Sequence, residues 1–174
     1  KQEVEVAVCS LYEMLGSFHI LINNAGVAQF GKFLEMPREE WEHVVKVNLF
    51  GAYYMTRSVY PYMVEQKRGD IINIASTAGE KGAATTSAQT ASKAALIGFT
   101  ESLAMEAREH NIRVMTVIPS TVVTESTIAK GLVDQNNQER LRAEDVATYI
   151  IVALKLHSRS CLKRASLWST NPGN

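Results

Sequence analysis

The stretch Ile20-Leu-Ile-Asn-Asn-Ala-Gly26 decides the fold. Three consecutive aliphatic residues followed by a polar turn predict a short strand that is buried on both faces, which is typical of a parallel sheet. Two further runs have the same character, at 70–74 and at 112–118, and Pro119 ends the second of them. We therefore expect three neighbouring strands of one open parallel sheet.

Segments with helical periodicity alternate with these strands. The pattern predicts helices at 4–15, 38–64, 87–110 and 143–156, a mobile polar flap after Pro119, and a last strand in the tail at 165–169. This alternation implies right-handed crossovers and a doubly wound α/β sheet. Since the sequence contains no internal repeat, low-complexity tract or linker, we expect a single domain over 1–174.

The composition excludes several classes of function. The 174 residues carry 18 Lys and Arg against 18 Asp and Glu, so no basic field is available for nucleic acid or an anionic membrane. No apolar run approaches the roughly 18 residues of a membrane span. Cys9 and Cys161 lie far apart, which argues against a zinc site and fits a reducing compartment. We expect no metal and a cytoplasmic location.

Small polar residues follow each of the three strands. They are Asn23-Asn-Ala-Gly26, Ala75-Ser-Thr77 and Pro119-Ser-Thr121. Open parallel sheets bind their ligands in the crevice beyond the carboxyl ends of the strands. The sequence therefore predicts a ligand crevice at this edge.

Five motifs, in this order and spacing, resemble the short-chain dehydrogenases and reductases. They are Asn23-Asn-Ala-Gly26, Asn48 in Val47-Asn-Leu-Phe-Gly51, Ser76 in Ile74-Ala-Ser-Thr-Ala-Gly79, Ala91-Ser-Lys-Ala-Ala-Leu96 and Pro119-Ser-Thr-Val-Val-Thr124. The pattern is most similar to bacterial 3-oxoacyl-acyl carrier protein reductases. The resemblance implies a Rossmann-like fold and hydride transfer between NADP or NAD and a carbonyl or alcohol, with a 3-oxoacyl-thioester-like substrate.

The resemblance also implies roles for individual residues. Ser76 would donate a hydrogen bond to the substrate oxygen, Asn48 would hold a water in the proton path, and Lys93 would bind the nicotinamide ribose. The positions implied to contact the cofactor are Asn24, Ala25, Gly26, Lys93, Pro119, Val122 and Thr124. Members of the family commonly pair through their two long helices, which correspond to 38–64 and 87–110, so we expect a homodimer or homotetramer.

The chain departs from the family pattern at the catalytic acid. The family places a tyrosine four residues before the lysine, and this chain has Gln89 there. An amide cannot release a proton near neutral pH, and its side chain is shorter than a phenol. Losing a positioned acid typically costs roughly 10²- to 10⁴-fold in rate. We therefore expect this chain to be inactive or severely impaired as an enzyme.

A second departure concerns the cofactor. The ten glycines include neither GxxxGxG nor GxGxxG, the turn that would receive the pyrophosphate at a helix N-terminus. We therefore interpret the chain as a single partial domain, a truncated fold with only its C-terminal strands and helices. One edge of the sheet, at Ile20, would then be unpaired and apolar.

Less specific interpretations remain open for the same residues. Ser76 could simply cap a turn, Asn24 and Gly26 could be turn residues only, and Lys93 could be a solvated charge on a helix. The histidines at 19, 43, 110 and 157 share no ligand spacing. The alternative function is a catalytically silent homologue that acts as a binding or oligomerisation module.

Overall fold

The computed structural model of the chain describes residues 2–171. Its helices are α1 (Gln2–Leu15), α2 (Arg38–Val45), α3 (Ala52–Glu65), α4 (Ser87–Ala107), α5 (Glu125–Ala129) and α6 (Ala143–Lys155). Its strands are β1 (Ile20–Asn23), β2 (Gly69–Ile74), β3 (Ile112–Pro119), β4 (Val122–Val123), β5 (Leu141–Arg142) and β6 (Arg164–Leu167). Four strands form one parallel sheet in the order β1-β2-β3-β6, and β4 pairs with β5. The predicted parallel α/β fold is confirmed.

Helices cover both faces of this sheet. On one face, α1, α3 and α4 pack over the strands through a buried cluster that includes Val8 and Val114. On the other face, α6 packs through Ala153 against Ile72 and Met115. Because consecutive strand residues point to opposite faces, both sides of β2 and β3 are apolar, which explains their uninterrupted aliphatic runs.

The predicted helix at 38–64 forms, but its middle differs from an α-helix. A π-helical turn, Lys46–Gly51, joins α2 to α3. Asn48 lies in this turn and is only 1% exposed. Single π-helical turns inside α-helices frequently occur at functional sites. The turn accommodates a buried asparagine in a segment where α-helical propensity would disfavour it.

The prediction that β1 is buried on both faces is wrong. Leu21 is buried, but Ile20 is 50% exposed and Ile22 is 43% exposed. Register places Ile22 beside Ile72, which packs in the cluster under α6. Among residues 2–171, β1 pairs with β2 alone, and the α6 cluster stops at β2. One face of β1 therefore stays exposed, because the residues that pack under α6 do not extend over this strand.

The segment after Pro119 contains regular secondary structure, and the mobility of this predicted flap stays a prediction. It holds β4, α5 and β5, and the Lys130 ammonium donates to the Ala28 carbonyl at 2.6 Å. The segment therefore contacts the loop that follows β1. The tail forms β6, which pairs with β3 from Thr116 onward, so the predicted last strand is confirmed. Between residues 2 and 171, no helix is long and apolar enough to span a bilayer.

Candidate active site

The carboxyl ends of three strands meet at one edge of the sheet. Asn23 ends β1, Ser76 follows β2 and Pro119 ends β3. Where β1 pairs with β2, Ile20 lies beside Asp70. Where β2 pairs with β3, Gly69 lies beside Ile112. The Ala75 N–H donates to the Val117 carbonyl at 2.8 Å, which continues the ladder to the residue before Ser76. The predicted crevice edge is therefore present.

Asn48 ties the π-helical turn to the loop after β1 and to α4. Its Oδ1 accepts from the Val27 N–H at 2.8 Å, and its Nδ2 donates to the Val27 carbonyl at 2.9 Å. The Ser92 Oγ at 3.0 Å and the Gln89 Oε1 at 3.2 Å are further acceptors for this Nδ2, so its two N–H groups are shared among three acceptors. The amide is thus fully engaged with protein partners, which fixes the side chain in one orientation.

Gln89 lies in this network rather than outside it. It is half-buried on α4, one turn before Lys93, so the two side chains share a helix face. Its Oε1 accepts from Asn48, and its backbone carbonyl accepts from the Ser92 hydroxyl at 3.0 Å. At the family's tyrosine position the structure therefore places a neutral amide that accepts a hydrogen bond.

Lys93 is buried, not a solvated surface charge. The residue is 7% exposed, and its Nζ donates to the Ile74 carbonyl at 2.8 Å. Burial disfavours the ammonium form and lowers the pKa of Lys93 to about 8. No ion pair joins Lys93 to another residue in the described range 2–171. A buried, unpaired lysine of this kind is typical of functional positions.

Two glycines allow the close approaches that assemble the site. A Cβ added at Gly26 would lie 3.2 Å from the Asn48 Oδ1 and 3.5 Å from the Lys93 Nζ. A Cβ added at Gly79 would lie 2.7 Å from the Lys93 backbone carbon, closer than a real Cβ contact can be. Gly79 therefore packs the turn after β2 against α4, which keeps Ser76 on the same side as Lys93.

Ser76 caps a turn, which is the role that the less specific interpretation predicted. Its Oγ accepts from the Ala78 N–H at 3.2 Å and caps the short helical turn Thr77–Gly79. The hydroxyl can still donate its own proton, because accepting at the cap does not use it. Capping and donation to a ligand oxygen are therefore compatible.

The predicted cofactor positions lie around the same edge. Asn24, Ala25 and Gly26 are exposed in the loop after β1. Thr124 caps α5, and its Oγ1 accepts from the Thr127 N–H at 3.3 Å. Pro119 and Val122 end β3 and begin β4, respectively. The structure brings these positions to the crevice edge, and their contact with a cofactor stays a prediction.

A buried polar row behind the crevice was missed by the sequence reasoning. The Asn23 Nδ2 donates to the Asn73 Oδ1 at 2.7 Å and to the Thr56 Oγ1 at 3.1 Å. The Asn73 Nδ2 in turn donates to the Thr100 Oγ1 at 2.8 Å. The row joins β1 and β2 to α3 and α4 directly beneath the strand ends. Its signal in the sequence was an asparagine interrupting each of two aliphatic strands.

Within residues 2–171, no group of three or more His, Cys, Asp or Glu residues could hold a metal ion. The four histidines are exposed or half-buried and do not cluster. The site therefore contains hydrogen-bonding amides, a hydroxyl and a buried amine.

Comparison with known proteins agrees with this geometry. The family profile of the short chain dehydrogenases matches residues 1–135. The 3-oxoacyl-[acyl-carrier-protein] reductase of Thermotoga maritima is 35% identical over 73% of this chain and 52% of its own length. The 5-keto-D-gluconate 5-reductase of Escherichia coli K12 is 36% identical over 77% of this chain and 52% of its own length.

Solved structures show the same fold. A metagenomic short-chain oxidoreductase in complex with NADP superposes with a TM-score of 0.79 and 30% identity, over 97% of this chain and 69% of that one. Serine dehydrogenase from Escherichia coli superposes with a TM-score of 0.81 and 30% identity, over 94% and 69% of the two chains. The chain spans about half the length of the curated relatives it matches. That the fold is truncated stays a prediction. The chain belongs to the short chain dehydrogenase family.

Proposed function

We propose that this chain is an NAD(P)-dependent carbonyl oxidoreductase of the short-chain type whose proton-transfer step is severely impaired by Gln89. The observation that carries the proposal is the hydrogen bond from the Asn48 Nδ2 to the Gln89 Oε1, at 3.2 Å. A side chain that accepts a hydrogen bond and has no acidic proton occupies the position from which the family's tyrosine delivers one.

The residues at the crevice fit one end of the proposed cofactor. Ile74 accepts from one of the three Lys93 Nζ–H donors, and Nζ makes no other hydrogen bond within residues 2–171. Two donors are therefore free for ribose hydroxyls, and Gly26 leaves the space beside them open. The pyrophosphate end has no glycine-rich cradle in this sequence. The fit thus supports the nicotinamide-ribose half, with NADP proposed from the NADP-containing relatives.

When bound, the nicotinamide supplies the hydride. The Ser76 hydroxyl would donate to the carbonyl oxygen as negative charge develops there, which stabilises the transition state. Lys93, held by the Ile74 carbonyl, would orient the ribose, and Asn48 would hold the loop at Val27 in place. Gln89 can orient a ligand oxygen through its amide N–H groups but cannot protonate it. Reduction would therefore depend on a proton from water.

Restoring the acid tests the proposal. Gln89→Tyr should raise the rate of NADPH-dependent carbonyl reduction by about 10²-fold or more over Gln89→Phe, since both rings fill the same space and only the phenol has a proton. The rate is measured as loss of NADPH absorbance. Equal rates in the two variants would contradict the assigned position, and an unchanged NADPH fluorescence on titration would contradict cofactor binding.

For the substrate we propose a 3-oxoacyl-thioester-like carbonyl compound, supported by the 35% identity to a reductase of that class. The similar identity to a 5-keto-D-gluconate reductase makes a keto sugar acid the competing substrate. The Gln89→Tyr variant should reduce an acetoacetyl thioester faster than 5-ketogluconate. The reverse preference would overturn the thioester assignment.

The second candidate function is a catalytically silent module that self-associates. It is favoured by apolar side chains exposed on α3 and α4: Tyr53 on α3 is 43% exposed, and its ring packs edge-on against the half-buried Phe99 on α4. Phe50, in the π-helical turn before α3, and Met105, on α4, are also exposed. A homodimer or homotetramer would bury this surface. Sedimentation at micromolar concentration should show self-association that Tyr53→Glu weakens, whereas a wild-type monomer would contradict the module.

A further inference from the structure

A cavity at the opposite edge of the sheet has no role in the proposed reaction. Its volume is about 410 Å³, within the usual size range of small-molecule sites. It lies at the amino ends of the strands, where Ile112 begins β3, whereas the candidate active site lies beyond Pro119. At about 3.3 Å per residue, the length of β3 separates the two by about 23 Å.

The lining of this cavity is strongly basic. Four of its eleven residues are Arg108, Arg113, Arg159 and Lys163, and none is acidic. An adjoining cavity shares Arg113 and adds Arg68 and Asp70. The two together are lined by five cations and one carboxylate. In a chain whose formal net charge is zero, this is a pronounced local excess of positive charge.

Arg113 forms a fixed floor between the two cavities. Its guanidinium donates to both carboxylate oxygens of Asp70, from Nε at 2.5 Å and from the terminal nitrogen at 3.0 Å. The remaining donors go to the carbonyls of Leu154, Leu156 and Ser160, at 3.1, 3.1 and 3.3 Å. All five N–H groups are therefore used within the protein, so Arg113 positions the surrounding loop rather than contacting a ligand.

The other three cations are available to a ligand. Within residues 2–171, Arg108, Arg159 and Lys163 form no ion pair with a carboxylate. They come from α4's end and from the loop after α6, and Arg113 holds that loop against the sheet. Three cations held around one concave site repel one another unless an anion lies between them. The polar residues Asn111 and Ser158 belong to the same lining.

The electrostatic surroundings of the Cys161 thiol indicate that charged side chains from different elements lie close together. Cys161 also lines the cavity. Partial burial raises the pKa of this thiol and the Asp70 carboxylate adds to the rise, whereas the positive charges of Arg113 and Arg108 oppose it. Side chains from β3 and from the end of α4 thus act on one group in the loop after α6.

We propose that this cavity binds a small anion with at least two negative charges, such as a phosphorylated metabolite or pyrophosphate. A single concave site with three free cations matches a compact polyvalent anion, because charge-assisted hydrogen bonds from several directions can be made at once. An extended nucleic acid would need a basic stripe along the surface, which a neutral chain does not supply.

Titration calorimetry with inorganic pyrophosphate and with ADP tests the proposal on the 174-residue chain. Both probes should bind, and affinity should fall as salt is added. Tighter binding of ADP would identify a nucleotide as the ligand, and equal binding would identify the phosphate groups alone. In Arg159→Gln/Lys163→Gln the affinity should fall by about tenfold or more, because charge-assisted hydrogen bonds are lost.

The matched control is Lys32→Gln/Lys46→Gln, which removes two charges from exposed side chains that lie outside the cavity. It should bind pyrophosphate as the unmodified chain does. Alkylation of Cys161 should slow when pyrophosphate is present while alkylation of Cys9 on α1 does not, and both cysteines are free and exposed.

Three results would overturn the proposal. They are no binding of either probe at millimolar concentration, equal weakening in the two double variants, and binding of a short DNA duplex without binding of pyrophosphate. Circular dichroism of each variant separates loss of the site from loss of the fold. None of these measurements depends on catalysis, so the proposed oxidoreductase function stands or fails separately.

Discussion

A basic side chain is shielded from solvent at each end of the strands, Lys93 buried at the carboxyl ends and Arg113 half-buried at the amino ends, and the two differ in their partners. At the carboxyl edge, Lys93 is buried against the Ile74 carbonyl, and burial lowers its pKa to about 8. At the amino edge, Arg113 is paired with Asp70, and these hydrogen bonds raise the pKa of Arg113 above its usual value. An arginine with a carboxylate partner stays charged, whereas a buried lysine without a partner can lose its proton near neutral pH. The paired Arg113 therefore suits a structural role, whereas the unpaired Lys93 suits a role in chemistry.

The largest effect is expected at the amino edge. Arg113→Met should lower the free energy of unfolding by about 3–5 kcal/mol, because it leaves the half-buried Asp70 carboxylate without its partner and also removes the hydrogen bonds to three backbone carbonyls. The side chains of Arg113 and Asp70 are only 12% and 18% exposed. Urea unfolding measures the loss.

The double variant Asp70→Leu/Arg113→Met serves as the control for that prediction. It removes both charges, so it should cost less than the sum of the two single substitutions. Strictly additive losses of unfolding free energy would mean that Arg113 and Asp70 are not coupled. That result would contradict the contrast between the paired Arg113 and the unpaired Lys93.

At the carboxyl edge the expected effect depends on pH. The folded-state pKa of Lys93, about 8, lies below the 10.5 of an ordinary lysine, so the unfolded chain binds more protons between these values. Stability should therefore rise with pH across this window, by about 3 kcal/mol in total. Lys93→Met should remove this rise, which is measured as the difference between the unfolding free energies of the two proteins at each pH. Parallel pH profiles would show that Lys93 is not desolvated in the folded chain.

The smallest effect concerns the glycine that holds the carboxyl edge together. Gly79→Ala should destabilise the chain by about 1–3 kcal/mol, because its Cβ would overlap the backbone at Lys93. Gly98→Ala is the matched control: Gly98 lies within α4 with no atom within 4 Å of an added Cβ. The control should stabilise the helix by up to about 1 kcal/mol. Thermal unfolding of the two variants should shift in opposite directions, and a shared direction would argue against the close approach at Gly79.

Most of the element order could be predicted from the sequence because β2 and β3 are covered on both sides. Burial on both faces requires continuous aliphatic runs, and such runs are visible without coordinates. The same reasoning failed at β1, where Ile20 and Ile22 are exposed. A run of aliphatic residues indicates that both faces of a strand could be buried. It does not indicate whether another element is present to cover each face. The π-helical turn at Asn48 was missed for a related reason, since helical periodicity does not distinguish one widened turn.

The residues that form the candidate site could be predicted from the sequence, but their hydrogen bonds and their desolvation could not. The resemblance to the short-chain dehydrogenases and reductases implied roles for Ser76, Asn48 and Lys93, and the structure brings Asn48, Gln89 and Lys93 together. That Gln89 accepts from Asn48 and that Lys93 is desolvated follow from distances between chain segments far apart in sequence. The polar row through Asn73 was equally hidden, because its partners lie on three other elements.

The sequence by itself determined the alternation of strands and helices, the residues at the strand ends and the missing acidic proton at Gln89. These depend on local pattern and on the chemistry of single side chains. The tertiary structure decided which cations are buried, which are paired and which line a common cavity. Arg108 and Lys163 are far apart along the chain and lie on one cavity only because α4 and the loop after α6 meet at the same sheet edge. Ion pairing and desolvation depend on the distances between side chains in space. These distances cannot be deduced from the order of residues along the chain.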